Sequence, residues 1–197
     1  LLLVTDDVVL AGRDPLPLCL AAVAGGVTAV QLRLKSVEDR VFADLARRML
    51  AALPVPLFLN DRLDIALAVG AAGVHLGSDD LAPTLARRVV PPGFVIGASV
   101  GSTAEIARGE SADYWGIGPL HPTATKSDAG SALGWDGANA LRVASGHRPC
   151  VIIGGVQPAD VPVAIAAGFA GVAVVTGILA AQDVAEAARR YGMMDGG

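Results

Sequence analysis

The sequence predicts an α/β fold, a single (β/α)8 barrel over residues 1–197, and three observations carry that expectation. Short apolar runs alternate with helix-like segments along the whole chain. The runs are continuous rather than alternating in polarity, as expected of strands covered on both faces. One kind of junction also recurs: AAVAGGVTAVQLR, ALAVGAAGVHLG and AIAAGFAGVAVV each pass from an Ala-rich segment through Gly into a β-branched run. EIARGESADYWGIG is a looser fourth copy.

Taken in order, LLLVT (1–5) is the first strand, with a helix over about 16–22. Gly25 ends that helix and 28–35 is the second strand, followed by a helix at 37–52. PLFLN (56–60) is the third, with a helix at 62–69 ended by Gly70; 73–76 is the fourth, with a helix at 81–90. FVIGAS (94–99) is the fifth, and its helix at 102–108 stops at Gly109. The sixth strand is 112–117, with a helix at 135–145. PCVIIG (149–154) is the seventh, with a helix at 158–167 ended by Gly168; 171–175 is the eighth, with a helix at 180–190. Glycines at these stops suit a left-handed residue that closes a helix. Strict β–α alternation gives a parallel sheet, and eight units suggest closure. A doubly wound open sheet is the alternative, although it usually has fewer strands.

Composition bounds the function. Only 17% of residues are charged while 53% are apolar, which excludes disorder. A net charge of −4 with no basic run speaks against nucleic acid. Cys19 and Cys150 have no metal or redox spacing, which fits a reducing cytoplasm. No signal peptide is visible; the chain lacks an initiator Met, so a native N-terminus is expected upstream. Val161–Gln182 is long and uncharged enough to span a bilayer. Pro162, Gly168, Gly171 and Gly177 interrupt it, so it reads as a buried helix followed by a buried strand, with no membrane partner. A homo-oligomer remains open.

In such barrels the active site lies where the strands end. Those ends hold Thr5 and Asp6, then Arg33 and Lys35, Asn60 and Asp61, His75 with Asp79 and Asp80, and Ser99. The loop GPLHPTATK, Gly154 and Gly155, and Thr176 follow. In VQLRLK (30–35), strand alternation puts Gln31, Arg33 and Lys35 on one face and Val30, Leu32 and Leu34 on the other. That polar face is either solvated or turned inward toward an anion. Asp61 and Asp80 end neighbouring strands and suit Mg²⁺ shared with substrate phosphate oxygens; each could equally cap the helix that follows. Gly154–Gly155 and Thr176–Gly177 occupy the usual phosphate position after strands seven and eight. Residues 118–134 form the longest loop, where Thr123, Thr125 and Lys126 offer two hydroxyls and a cation. No catalytic triad, Cys nucleophile or dinucleotide fingerprint is present. His147 reads as surface, and His75 as either a hydrogen-bonded lumen residue or a catalyst.

Seven stretches together resemble the thiamine-phosphate synthase family, which has thiazole tautomerases as relatives. They are LLVTD, VQLRLK, NDRLDIALAVGAAGVHLGSDD, IGAS, ADYWGIGPLHPTATKSDA, IIGGV and GVAVVTGI, in this order along nearly the whole chain. The resemblance implies a TIM barrel that joins a hydroxymethylpyrimidine pyrophosphate to a thiazole phosphate, plain or carboxylated, releasing pyrophosphate. By the same resemblance Gln31, Arg33, Lys35, Asn60, Ser99 and Lys126 hold the pyrimidine pyrophosphate. Arg33, Lys35 and Lys126 would face the charge that develops as it leaves. Asp61 and Asp80 would bind Mg²⁺. Thr123, Thr125, Gly155, Val175 and Thr176 would hold the thiazole phosphate. Leu34, Ser78, Gly101 and His121 depart from the family's usual acidic residue, Gln, His and aromatic. A tautomerase-like isomerase and a non-catalytic barrel that binds thiamine phosphates are the rival readings. Arg33→Met is expected to abolish activity at little cost in stability, because crowded functional cations repel one another. Leu34→Ala is expected to cost roughly 2–4 kcal/mol as a core truncation.

Overall fold

In the computed structural model, which describes residues 1–123 and 131–192, eight parallel strands close into a barrel in chain order. They are β1 (Leu2–Val4), β2 (Ala29–Leu32), β3 (Leu57–Asn60), β4 (Gly73–Leu76), β5 (Val95–Val100), β6 (Tyr114–Ile117), β7 (Cys150–Ile152) and β8 (Gly171–Val174). β1 pairs with both β2 and β8, so the sheet has no edge and the open doubly wound alternative falls. Each strand matches one read from the sequence: β4 has the bounds expected, β5 is shifted by one residue, and the other six are shorter. In particular, β2 ends at Leu32, so Arg33, Leu34 and Lys35 lie beyond it.

The helices differ more. The main ones are α2 (Pro15–Ala24), α3 (Asp39–Ala52), α4 (Leu63–Val69), α7 (Gly134–Ala144), α8 (Asp160–Ala166) and α10 (Val184–Gly192). An unanticipated turn, α1 (Asp7–Leu10), starts directly after β1 because Asp6 accepts from the Val8 and Val9 N–H groups. The helix expected at 81–90 shrinks to α5 (Pro83–Ala86). Val89, Val90 and the prolines after them disfavour helical backbone. After β5 there is a 3-10 turn at Thr103–Glu105 and the four-residue α6 (Ile106–Gly109). The last expected helix, at 180–190, begins later as α10, and an unanticipated turn, α9 (Thr176–Leu179), precedes it. Residues 161–182 do hold a helix and a strand, but α8 is buried on one face only, with Val163 and Ile165 exposed; among the described residues no helix is long and apolar enough to cross a membrane.

Two of the four helix-stop glycines act otherwise than expected. Gly70 and Gly168 have positive φ, as the stop requires. Gly25 does not (φ −88°), and a Cβ there would lie 2.2 Å from the Ala185 carbonyl oxygen of α10. Close packing of α2 against α10 dictates that glycine. At Gly109 a Cβ would lie 2.6 Å from Nε1 of the buried Trp115, whose indole N–H donates to the Gly109 carbonyl.

Strand parity divides the interior in two. Outward residues, among them Leu3, Val30, Leu32, Leu59, Val74, Ile96, Trp115 and Ile152, join the helices in the main core. Inward residues fill the lumen only in part: the Phe58 and Tyr114 rings pack edge to face, with centroids 6.0 Å apart. Leu2, Val4 and Ala173 make a small separate apolar wall, packed by Val151, Ile153 and Val175. The opposite wall carries Gln31, Asn60, His75 and Ser99 beside Gly97 and Gly116. Both walls border a cavity of about 530 Å³ that opens at the strand ends.

Candidate active site

Arg33 and Lys35 extend from the end of β2 to the cavity rim, and both line it. Thr5 fixes the Arg33 backbone: its hydroxyl accepts from the Arg33 N–H at 2.8 Å and donates to the Arg33 carbonyl at 3.1 Å. Asp6 fixes the side chain, accepting from Arg33 Nη1 at 2.5 Å. Lys35 is half exposed and sits 2.8 Å from Asp61. The hydrogen bond to Asp61 raises its pKa, against an opposing effect of burial.

Asp61 follows β3 in the left-handed region, with φ 64°, which Asp tolerates better than most side chains. Its carboxylate is not a helix cap: α4 is preceded by Arg62 and has no side-chain cap. Burial pushes the Asp61 carboxyl up, but hydrogen bonds with Asp80 and Lys35 bring it below the ordinary value. Asp80 is driven the other way, to about 6, by burial and by Asp61 beside it. It accepts from the Gly77 N–H at 2.6 Å, and α5 begins after Ala82 without a side-chain cap. Two carboxylates thus converge on one point, with Lys35 beside Asp61. Arg108 clamps the loop from the neighbouring unit, donating to the Gly77 carbonyl at 2.9 Å and to the Asp80 carbonyl.

Deeper in the lumen, His75 bridges Tyr114 Oη and Ser99 Oγ, each at 3.0 Å. Tyr114 also shares a hydrogen bond with Gln31, and burial pushes its phenol well above the ordinary range. His75 is thus hydrogen-bonded within the lumen, and it also lines the cavity. The chain Gln31–Tyr114–His75–Ser99 links polar side chains of four strands across the lumen. Glycines make it possible, since a Cβ at Gly97 would lie 2.2 Å from the Tyr114 ring and one at Gly116 3.0 Å from His75. Gly97→Ala should cost about 1–3 kcal/mol as overpacking against the Tyr114 ring. Thermal melts of that variant check it.

On the far side, Gly154 and Gly155 both have positive φ. Their Cβ positions would lie 2.5 Å from Pro119 and 2.9 Å from His121, so only glycine lets the two loops meet. The His121 and Leu120 N–H groups donate to the Gly154 and Ile153 carbonyls at 2.9 and 2.8 Å. Val175 and Thr176 start α9 beside them, and with Gly155 and Thr123 they line the same cavity. Thr125 and Lys126 lie outside the described residues. Neither cysteine is a nucleophile for the site: both are buried, and burial pushes the Cys19 thiol up to about 12.

A family model described as thiamine monophosphate synthase matches residues 1–178. The thiamine-phosphate synthase of Azorhizobium caulinodans is 46% identical over 196 residues, covering 96% of this chain and 91% of that protein. That of Xanthobacter autotrophicus is 47% identical over 194 residues, covering 96% and 92%. The chain belongs to the thiamine monophosphate synthase family. A solved thiamine phosphate pyrophosphorylase from Pyrococcus furiosus superposes with a TM-score of 0.83 at 32% identity, covering 97% of this chain and 93% of that one. A 3-hexulose-6-phosphate synthase structure, at 18% identity and TM-score 0.71, shares the fold alone. Like the thiamine monophosphate synthases it resembles, the chain is a transferase, and a divalent metal is consistent with that family.

Two departures from the family's pattern acquire a local reason. At Gly101 a Cβ would lie 2.8 Å from the Gly118 carbonyl oxygen, and the Gly101 N–H donates to Glu105 at 2.7 Å. His121 pairs with Asp160 at 3.0 Å, linking the loop after β6 to the start of α8. Sequence reading placed Asp6 among the polar strand ends without a role, and passed over Arg108 and Tyr114. Asp6 and Tyr114 carried a signal, a polar group at a strand end and a phenol inside a β-run; Arg108, on a short helix, carried none.

Proposed function

We propose that the chain condenses a hydroxymethylpyrimidine pyrophosphate with a thiazole phosphate, plain or carboxylated, to give thiamine phosphate and pyrophosphate. The observation that carries this reading is the convergence of Arg33 and the Lys35–Asp61–Asp80 cluster on the mouth of one cavity. Two cations and two carboxylates at one point suit a metal-bound polyphosphate better than a simple phosphate ester. Asp61 and Asp80 are hard oxygen donors that fit Mg²⁺, with the rest of its shell left to water and substrate oxygens. When bound, Mg²⁺ supplies charge neutralisation at the pyrophosphate.

Departure of pyrophosphate breaks the C–O bond first, and the aminopyrimidine ring spreads the cation left behind. Arg33 and Lys35, with Lys126 proposed beside them, would stabilise the charge gathering on the leaving group. Gln31, Asn60 and Ser99 would hold the pyrimidine substrate from the lumen wall. Thr123, Thr125, Gly155, Val175 and Thr176 would hold the thiazole phosphate, so that its ring nitrogen meets the cation. No protein nucleophile is needed. We read residues 1–197 as one barrel domain acting in the cytoplasm, in keeping with two free cysteines. Pyrophosphate release, measured with both substrates and either Mg²⁺ or EDTA, tests the proposal. Release only with all three components supports it; full activity in EDTA, or none in Mg²⁺, overturns it.

Within the loop, Lys126→Ala should slow turnover more than it raises KM for the thiazole phosphate, because its charge is assigned to the leaving group. Thr125→Val should do the reverse. Steady-state kinetics on both variants would expose a swapped assignment.

A further inference from the structure

We infer that Thr5 and Asp6, at the end of β1, are positioning residues that aim the Arg33 guanidinium at the pyrophosphate. The inference rests on the assignment of Arg33 to that group. β2 ends at Leu32, so ladder hydrogen bonds do not fix the direction in which Arg33 leaves the strand. Thr5 replaces the ladder with its hydroxyl, which both accepts from and donates to the Arg33 backbone. Thr5 is fully buried, and its own N–H donates to the Gln31 carbonyl at 3.0 Å, so the hydroxyl is held in register.

Asp6 then fixes the side chain. Its carboxylate is 3% exposed and is shared between two tasks. One oxygen accepts from the Val8 and Val9 N–H groups at 3.1 Å each, and the other accepts from Arg33 Nη1 at 2.5 Å. The first task makes the carboxylate immobile; the second transfers that immobility to the guanidinium. A guanidinium has five N–H donors in a fixed plane. Holding one of them orients the others, and Arg33 lines the cavity.

The sign of the effect separates positioning from simple electrostatics. Asp6 is an anion beside an anion site, so if its charge were all that mattered, removing it would tighten pyrophosphate binding. Positioning demands the opposite. Titrating inorganic pyrophosphate with Mg²⁺ into the protein by calorimetry reads the difference. Asp6→Asn keeps a good helix cap and should weaken binding roughly tenfold, the scale of one misdirected charge-assisted hydrogen bond. Asp6→Ser, which keeps the cap but cannot reach Arg33, should weaken it as much. Thr5→Val should also weaken binding, and Thr5→Ser should restore it. In an Arg33→Met background, Asp6→Asn should have no further effect. Unchanged or tighter binding in Asp6→Asn, or an undiminished loss in the Arg33→Met background, overturns the inference. If Arg33→Met alone leaves pyrophosphate affinity unaltered, the underlying assignment of Arg33 has failed instead.

Discussion

Arg33→Met should lower turnover by about 10²–10³, the range for removing one preorganised donor from developing negative charge. It should also lower the melting temperature, contrary to what crowding of cations suggests from sequence. Arg33 is the partner of a carboxylate that is 3% exposed. Without the guanidinium, Asp6 keeps only its two backbone donors, and a buried charge that loses a partner costs about 1–3 kcal/mol. Leu34→Ala separates the two effects. Leu34 packs only partly buried against the main core, so its truncation should cost roughly 1–2 kcal/mol, below the range for a full core leucine, while turnover of the folded fraction stays near normal. Melts and turnover on both variants decide the matter. An active Arg33→Met protein, or one that melts higher, would contradict the pairing.

Asp80→Ala should reduce turnover by orders of magnitude and abolish the response to Mg²⁺, yet leave the protein as stable as before or more so. Burial and the adjacent Asp61 already disfavour the ionised Asp80 side chain, so deleting it removes an electrostatic burden. Asp61 requires a gentler change. Its positive φ means that Ala would add backbone strain, whereas Asn tolerates that conformation and removes only the charge. Asp61→Asn should therefore match Asp80→Ala in activity, and the Lys35 ammonium should lose its stabilising partner. Turnover across a Mg²⁺ titration, alongside thermal melts, checks each part. Either variant with ordinary Mg²⁺-dependent turnover would remove that carboxylate from the metal.

The strands were legible because each is a short apolar run, all but the first following a glycine or proline. Closure followed from counting them. Helix lengths were not, because packing sets them locally: α5 and α6 are cut short where prolines and the Trp115 indole intervene. VQLRLK illustrates the same limit within the site. Alternation correctly sends Gln31 inward and Leu32 outward, but the ladder stops at Leu32. From there hydrogen bonds with Thr5, just after β1 and 28 positions earlier in the chain, direct Arg33. Asp61 and Asp80 could each have been a helix cap by sequence. Only the backbone at Arg62 and Ala82, which begins each helix without a side-chain cap, shows that they are not.

The open cavity of about 530 Å³ ties the stability of the barrel to what it binds. A ligand that binds the folded chain and not the unfolded one stabilises it by mass action. A ligand present at a hundred times its dissociation constant adds about 2.7 kcal/mol to the folded state. For a marginally stable domain that is a large share of the total. A cell short of these precursors would hold the barrel empty, open it more often, and lose it to proteolysis sooner. Supply of the small molecules would thus bear on how long each copy of the chain survives.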